Sequence, residues 1–212
     1  MKIIECEQGS PEWHAARLGK VTASRIADVT ARIKTGYGAS RANYMAELLV
    51  ERLTGQVADG YVSAEMKWGT DTEPQARTVY ELINGVTVVR VGLVLHPSID
   101  MAAASPDSLV SDDGLLEIKC PNTATHINTL LSETVPDKYV KQIQWQMACT
   151  GRQWCDYVSY DPRMPGDMQL FQRRIMRDDV MIADITGEVV KFLAELDDMM
   201  RKLTVKYRAE AA

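Results

Sequence analysis

Two carboxylates and one ammonium group lie close together in an apolar part of the sequence. Asp107 follows a stretch of small apolar residues, and Glu117 and Lys119 lie on the next apolar stretch, beyond Asp-Asp-Gly at 112–114. An Asp-Gly pair between apolar stretches is typical of a β-hairpin. Because strand side chains alternate between faces, Glu117 and Lys119 share one face, and any plausible register brings Asp107 within a rung or two of them.

Charged groups among Leu, Ile and Val are costly unless something pairs them. Mg²⁺ would pair them well, because it takes oxygen ligands and is bound by one or two carboxylates together with water and substrate phosphate. Lys119 could orient an attacking water, help to deprotonate it and stabilise the charge that develops on phosphorus. The spacing therefore predicts metal-dependent phosphodiester hydrolysis, while a solvated hairpin with a Glu117–Lys119 pair stays open as the alternative.

Length and composition describe an ordinary globular chain. Its 212 residues predict one domain over 1–212, with 46% hydrophobic and 25% charged residues. No apolar run is long enough to cross a membrane, and no leader sequence is recognised. Four cysteines without Cys-x-x-Cys spacing favour free thiols in a reducing cytosol over a zinc site. The net charge of −5 argues mildly against a protein that coats nucleic acid, but it allows a local basic track.

The order of predicted elements indicates an α/β (α+β) fold with a mixed central sheet flanked by helices. Helices are predicted over 11–18, from Thr22 or Ser24 to 29, over 40–54, 63–84, 123–133 and 136–150, and from 178 onward. Strands are predicted over 86–95, in the hairpin of 101–121, and over 152–160 and 168–176. Pro74 is expected to kink or restart its helix.

Two segments near the N-terminus offer basic groups. Ser24 is predicted at a helix N-terminus with Arg17 nearby, an arrangement that can bind a phosphate group, although serines that cap helices are common. Arg32, Lys34 and Arg41 flank a glycine-containing loop, which is either a solvated surface loop or a grip on a DNA backbone.

One helix carries a polar face. Tyr139, Gln142 and Gln146 are spaced i, i+3 and i+7, so they share one side of the helix, which faces either solvent or a ligand. The solvent interpretation is the simpler one. Glu73, just before Pro74, has no local signal for a role.

Several sequence blocks, spread over nearly the whole chain, fit a known pattern. They are Glu7-Gln8-Gly9 with Trp13-His14 and Arg17-Leu18-Gly19, Thr22-Ala23-Ser24, Trp68-Gly69 with Glu73, Ser105-Pro106-Asp107, Leu116 to Pro121, Tyr139 with Gln142, and Tyr160 to Met164. With these blocks in this order, the chain resembles phage lambda exonuclease and the YqaJ-type viral recombinase nucleases.

The resemblance implies a restriction-endonuclease-like core and a single nuclease domain. It further implies an Mg²⁺-dependent exonuclease that degrades the 5′ strand of double-stranded DNA from its ends, with two Mg²⁺ ions per site and Mn²⁺ as a possible substitute. The partners implied are DNA ends, two further copies in a homotrimeric ring, and a phage single-strand annealing protein. The location implied is the cytoplasm of a bacterial host, with no membrane contact.

The resemblance also implies roles for individual residues. The metal ligands would be Asp107, Glu117 and the main-chain carbonyl of Ile118, and Lys119 would activate the water. The remaining roles would fall to Glu73 and Gln142 in completing the catalytic site, Arg17 and Ser24 in binding the 5′-phosphate, and Trp13, Lys34, Met66 and Tyr139 in contacting DNA. Trp145 departs from the pattern, because relatives often have Tyr there.

Two other functions stay open at this stage. The same core also serves structure-specific or sequence-specific endonucleases. A non-catalytic clamp on DNA ends that docks an annealing protein is the alternative from another class.

Overall fold

The computed structural model describes residues 1–57 and 63–208. Its helices are α1 (Pro11–Arg17), α2 (Ile26–Val29), α3 (Ala39–Thr54), α4 (Ala64–Asn84), α5 (Thr123–Ser132), α6 (Asp137–Thr150) and α7 (Asp179–Arg208). Its strands are β1 (Lys2–Ile4), β2 (Val21–Thr22), β3 (Arg32–Ile33), β4 (Gly36–Tyr37), β5 (Val88–Val89), β6 (Leu93–Leu95), β7 (Ala102–Ala104), β8 (Ser108–Val110), β9 (Gly114–Lys119), β10 (Trp154–Tyr160) and β11 (Leu170–Met176).

A mixed five-stranded sheet in the order β11-β10-β9-β8-β5 forms the centre. β9 pairs parallel with β10 and antiparallel with β8. A second sheet has the order β1-β6-β7-β2, and β3 and β4 form a small third one. Helices α2, α3, α6 and α7 build the larger apolar core on one face, and α4 covers the other. The predicted α/β class with a mixed central sheet is confirmed.

The strand predicted over 86–95 is wrong as a single element, because it divides into β5 and β6, which belong to different sheets. The division lies beside Gly92, where the chain passes against the backbone of the first strand. A Cβ at this glycine would lie 2.4 Å from the carbonyl oxygen of Ile4. Only glycine allows so close an approach, which lets the chain cross from one sheet to the other.

The first strand of the predicted hairpin also divides, into β7 and β8. The break falls at Ser105 and Pro106, and proline cannot donate a hydrogen bond to a strand ladder. Asp107 therefore lies where the chain enters the central sheet, directly before β8.

The hairpin between β8 and β9 is confirmed, but its turn differs from the prediction. Residues 111–113 form the turn, with Ser111 in the left-handed region at φ 47°, and Gly114 already belongs to β9. A Cβ on Gly114 would lie 2.2 Å from ring atoms of Trp154. This glycine is needed for the packing of an indole, rather than for the turn.

Three further expectations change in detail. Helix α4 continues through Pro74 without a restart. The predicted second helix is short, since a 3₁₀ turn over Ala23–Arg25 precedes α2. The segment 32–37 forms the β3–β4 pair. Among the described residues, no helix combines the length and apolar character that a membrane crossing requires.

Candidate active site at the β8–β9 hairpin

The hairpin register brings the two predicted carboxylates together. Ser108 pairs with Leu116, so extending the ladder by one residue sets Asp107 opposite Glu117. The Asp107 Oδ2 atom accepts a hydrogen bond of 2.6 Å from the backbone N–H of Ile118. Alternation along β9 sends Leu116 and Ile118 into the core beneath α4 and leaves Glu117 for the other face.

Glu117 is buried, with a relative exposure of 1%, and three donors surround its carboxylate. The side-chain amides of Gln142 and Gln146 donate to Oε1 and Oε2, each at 2.6 Å, and the Lys119 ammonium contacts Oε1. Both glutamines lie on α6 and are buried. The polar face of this helix is therefore turned to a carboxylate, and the solvent-facing interpretation was wrong.

The charged groups of the cluster shift one another's pKa values. Burial, together with the nearby carboxylates of Glu117 and Glu73, raises the pKa of Asp107 well above its usual range, although Lys119 opposes the shift. Burial alone would lower the pKa of Lys119, but the carboxylates of Glu117 and Asp107 outweigh it and raise this pKa. Lys119 is therefore a cation at neutral pH, and the site still lacks positive charge at Asp107.

The donor set fits a divalent cation that prefers oxygen. Asp107 and Glu117 offer carboxylate oxygens, and the main chain of Ile118 contacts Asp107 through its N–H. Lys119 and the Ile118 N–H offset only part of the burial and carboxylate repulsion that raise the pKa of Asp107, so a bound cation would stabilise this carboxylate further. Two carboxylates and a carbonyl, completed by water, are typical of Mg²⁺. The described residues contain no cluster of three or more His, Cys, Asp or Glu side chains arranged around one ion position.

Glu73 faces the same region from α4 and pairs with a residue of its own helix. Its carboxylate contacts the guanidinium of Arg77, which also donates to Ser108 Oγ at 3.1 Å. Glu73 lies close enough to raise the pKa of Asp107, so it contributes to the field of the site.

An open cavity lies beside Lys119. Its walls come from three elements, α4, the end of β9 with the residues after it, and α6. Tyr139 lines the cavity and stacks on Tyr157 with a centroid distance of 5.6 Å, and the Lys119 Nζ atom lies 5.2 Å from the Tyr139 ring. Met66 also lines the cavity and is 58% exposed.

A second pocket surrounds Arg17. Its guanidinium lies over the Trp13 ring at 3.8 Å and donates to Thr22 Oγ1 at 3.4 Å, and Ser24 lines the same pocket. Burial lowers the pKa of Arg17 from its ordinary value. No carboxylate forms a salt bridge with Arg17 among the described residues. A partly desolvated guanidinium without an ion pair is what an anion-binding site requires.

The two pockets adjoin and are tied together. Met66 lines both of them. The Trp13 indole N–H donates to Ser105 Oγ at 2.9 Å, two residues before Asp107, and the Gln8 amide donates to the Pro106 carbonyl at 2.8 Å. The segment that leads into Asp107 is thus fixed to the helix that carries Arg17.

The basic loop is not brought to either pocket. Arg32 pairs with Glu188 of α7. Arg41 is buried against Tyr37 and Phe192 and bonded to Glu195 at 2.6 Å. Lys34 is exposed in the β3–β4 turn and lines neither pocket. The interpretation of this segment as a mobile loop that binds the DNA backbone does not hold for Arg32 and Arg41, because glutamates of α7 bind both side chains.

Two residues of the site had no role assigned from the sequence. Gln146 was on the predicted polar face, and its spacing of four from Gln142 was the available signal. Arg77 lies four residues after Glu73, a spacing at which helical ion pairs form. In both cases the spacing was visible, but the partner was not.

The chain is similar to a known protein family and to solved structures. Residues 12–153 match the model of the YqaJ-like viral recombinase domain. Among solved structures, the alkaline exonuclease LHK-Exo from Laribacter hongkongensis is 55% identical with a TM-score of 0.89, covering 96% of this chain and 100% of that one. LHK-Exo in complex with dAMP is 54% identical with a TM-score of 0.90 and the same coverage.

A more distant structure shows the same fold. The phage-related exonuclease from Haemophilus somnus 129PT is 15% identical, with a TM-score of 0.72, and the match covers 87% of this chain and 96% of that one. A search of curated proteins found no match. The chain belongs to the YqaJ-like viral recombinase domain family, a family of nucleases with a restriction-endonuclease-like core.

Proposed function

We propose that this chain is an Mg²⁺-dependent exonuclease that removes nucleotides from the 5′-ended strand of double-stranded DNA and leaves a 3′ overhang. One observation carries the proposal. Lys119, which contacts Glu117 beside Asp107, lines a cavity that shares Met66 with a second pocket, and that pocket holds the Arg17 guanidinium, which has no ion-pair partner among the described residues. The complex of the relative LHK-Exo with dAMP supports a mononucleotide as the product.

Asp107, Glu117 and the Ile118 carbonyl would hold Mg²⁺, and Mn²⁺ is the plausible substitute. When bound, two such ions supply Lewis-acid stabilisation of the charge that develops on the scissile phosphate. Gln142 and Gln146 keep the Glu117 carboxylate in one orientation. Lys119 is held as a cation, so its contribution is to orient the attacking water and to stabilise negative charge on the phosphoryl oxygens.

Direction of digestion would come from the second pocket. A 5′-terminal phosphate can pair with the Arg17 guanidinium and accept a hydrogen bond from Ser24, which is exposed there. Trp13 offers an aromatic ring beside that position, and Met66 lies between the phosphate pocket and Lys119, where it can part the terminal base pair. Tyr139 and Lys34 are proposed as further DNA contacts.

The assembly and the partners are also proposals. Family likeness supports a single nuclease domain over 1–212, a homotrimeric ring around the duplex, work with a phage single-strand annealing protein, and action in the cytoplasm of a bacterial host. The mass of the protein in solution tests the ring directly, since a trimer has three times the 23.7 kDa of the chain.

The decisive experiment compares Lys119→Ala with Lys67→Ala on linear and closed circular duplex DNA. Lys67 lies in a second Glu-x-Lys sequence, but its side chain is 72% exposed and paired with Asp71, so it serves as the matched control. We expect wild type and Lys67→Ala to digest the linear duplex only in the presence of Mg²⁺, and Lys119→Ala to have lost this activity. Full activity of Lys119→Ala contradicts the assigned site.

The same assay separates the alternatives. Cleavage of the closed circle as fast as the linear duplex identifies an endonuclease. Binding to DNA ends without digestion by the wild-type protein identifies a non-catalytic clamp.

The direction has its own test. Arg17→Ala should lose the preference for 5′-phosphorylated over 5′-hydroxyl ends while keeping its dependence on Mg²⁺. If the wild-type protein digests both kinds of end at the same rate, the proposed 5′-phosphate pocket at Arg17 is contradicted.

A further inference from the structure

The Tyr-Asp-Pro-Arg sequence at 160–163 follows β10 and has no role in the chemistry described above. Asp161 is fully buried. The Arg163 guanidinium binds its carboxylate through both oxygens, with Nε–Oδ1 at 2.7 Å and Nη2–Oδ2 at 2.9 Å. Thr123, the first residue of α5, donates to Oδ2 at 2.7 Å. The acid thus fixes both the guanidinium and the helix that follows β9.

The other side of the same guanidinium lies on an aromatic ring of α4. The Arg163 Cζ atom is 4.3 Å from the centroid of Trp68. The indole nitrogen of Trp68 is buried and has no hydrogen-bond partner within 1–57 and 63–208. No hydrogen bond orients this ring, so its position depends on packing and on the guanidinium stacked against it.

These contacts join two walls of the active-site cavity. Met66, Gly69 and Glu73 of α4 line one wall, and Trp68 lies among them in sequence. Lys119 to Pro121 line the other, and the Pro121 carbonyl lies 3.5 Å from Arg163 Nη2.

We propose that Arg163 is a positioning residue, which holds the α4 wall at a fixed distance from Lys119 through Trp68 and Asp161. The proposal rests on the proposed nuclease function, but it concerns the geometry of the walls and not the chemistry. A displacement of about 1 Å in a site that aligns a phosphate can cost about 100-fold in rate. Losing the stack should therefore reduce turnover without removing any group that touches DNA.

The chain contains a matched control for this arrangement. Arg174 binds the buried Asp156 through both oxygens, with Nε–Oδ1 and Nη2–Oδ2 at 2.8 Å, and stacks on Trp154 at 3.6 Å. The two arginine side chains are equally exposed, 50% for Arg174 and 47% for Arg163. Arg174 and Trp154 belong to β11 and β10, and neither strand contributes a residue to the active-site cavity, whereas Trp68 belongs to α4, which lines it.

The experiment compares Arg163→Lys with Arg174→Lys. Lysine keeps the charge but loses the flat, two-pronged guanidinium. We expect similar losses of Tm in the two variants. We expect kcat on linear duplex to fall about 10-fold or more in Arg163→Lys, with KM nearly unchanged, and to stay within about two-fold of wild type in Arg174→Lys. Equal kcat in the two variants, whether lowered or not, overturns the proposal.

A second measurement does not depend on catalysis. Amide hydrogen exchange over residues 64–73 should be faster in Arg163→Lys than in Arg174→Lys, because only the former releases the start of α4. Unchanged exchange there overturns the proposal. If the wild-type protein digests no DNA but amide exchange in the variants changes as expected, the proposed nuclease function is wrong and the role of Arg163 in joining the two walls is still supported.

The aromatic partner supplies the rescue test. Trp68→Phe keeps a flat face for the guanidinium, whereas Trp68→Leu does not. We expect Trp68→Phe to retain most of the turnover and Trp68→Leu to match Arg163→Lys. Equal turnover in the two Trp68 variants contradicts the stacking role.

Discussion

Replacing Gln146 with Met should separate stability from catalysis at the buried carboxylate. The change keeps the size of the side chain but removes the 2.6 Å hydrogen bond to Glu117 Oε2. Both groups are buried, with exposures of 0% and 1%, so water cannot replace the lost donor. A hydrogen bond to a charged group contributes about 1.5–3 kcal/mol, so the free energy of unfolding should fall by about 2 kcal/mol and Tm by about 4–8 °C.

Gln144→Met on the same helix is the control. Gln144 is 2% exposed, and its amide donates to the Met176 carbonyl and accepts from the Asp178 N–H, both at 2.9 Å. Two neutral hydrogen bonds are worth about 2 kcal/mol together, so the two variants should lose similar stability.

Urea unfolding without metal, and kcat on linear duplex with Mg²⁺, are measured for both variants. Gln146→Met should lose about 10-fold or more in kcat, because Glu117 loses one of the three donors that fix its orientation, whereas Gln144→Met should stay within about two-fold. Gln146 has no such role if the two variants have the same kcat, or if the free energy of unfolding of Gln146→Met lies within about 0.5 kcal/mol of the wild-type value.

Further predictions concern the metal, one glycine and one acid. Chelation of divalent ions by EDTA should abolish digestion, and titration with Mg²⁺ should raise the Tm of the protein. A Tm that does not change with the Mg²⁺ concentration contradicts metal binding at Asp107 and Glu117. Gly114→Ala places a Cβ 2.2 Å from the Trp154 ring and should lower the free energy of unfolding in urea by about 1–3 kcal/mol. Gly187→Ala in α7 has open space around it and should be neutral or stabilising. Equal effects of the two changes contradict the packing of Gly114 against Trp154. Burial alone would raise the pKa of Asp161, but hydrogen bonds led by that of Arg163 lower this pKa from 3.8 to about 2. The stability that ionised Asp161 gives the folded protein is therefore fully present above about pH 4 and is lost as the pH falls through about 2. Asp161→Asn should therefore be less stable than wild type at pH 7, with the difference shrinking at acidic pH, and a difference that does not depend on pH contradicts the assignment.

The hairpin and its acids could be predicted because their signals are local. Alternation and the turn were enough to bring Asp107 close to Glu117 and to set Lys119 on the same face. The division of the strands at Gly92 and Pro106 could not be predicted, because it depends on which distant strand each piece joins.

The orientation of the helices was equally out of reach of local patterns. The polar face of α6 looks like a solvent face until β9 is known to offer it a buried carboxylate. Arg41 lies in a basic segment, but its partner Glu195 belongs to the last helix. Pairings of this kind depend on tertiary packing, which spacing along one element does not encode.

Anomalous diffraction from a crystal soaked in Mn²⁺ tests directly whether the Asp107 and Glu117 carboxylates bind a metal ion. We expect an anomalous peak between the carboxylates of Asp107 and Glu117, bounded by the Ile118 carbonyl, with Lys119 beside it. A fully soaked crystal with these carboxylates apart and no ion between them would contradict it.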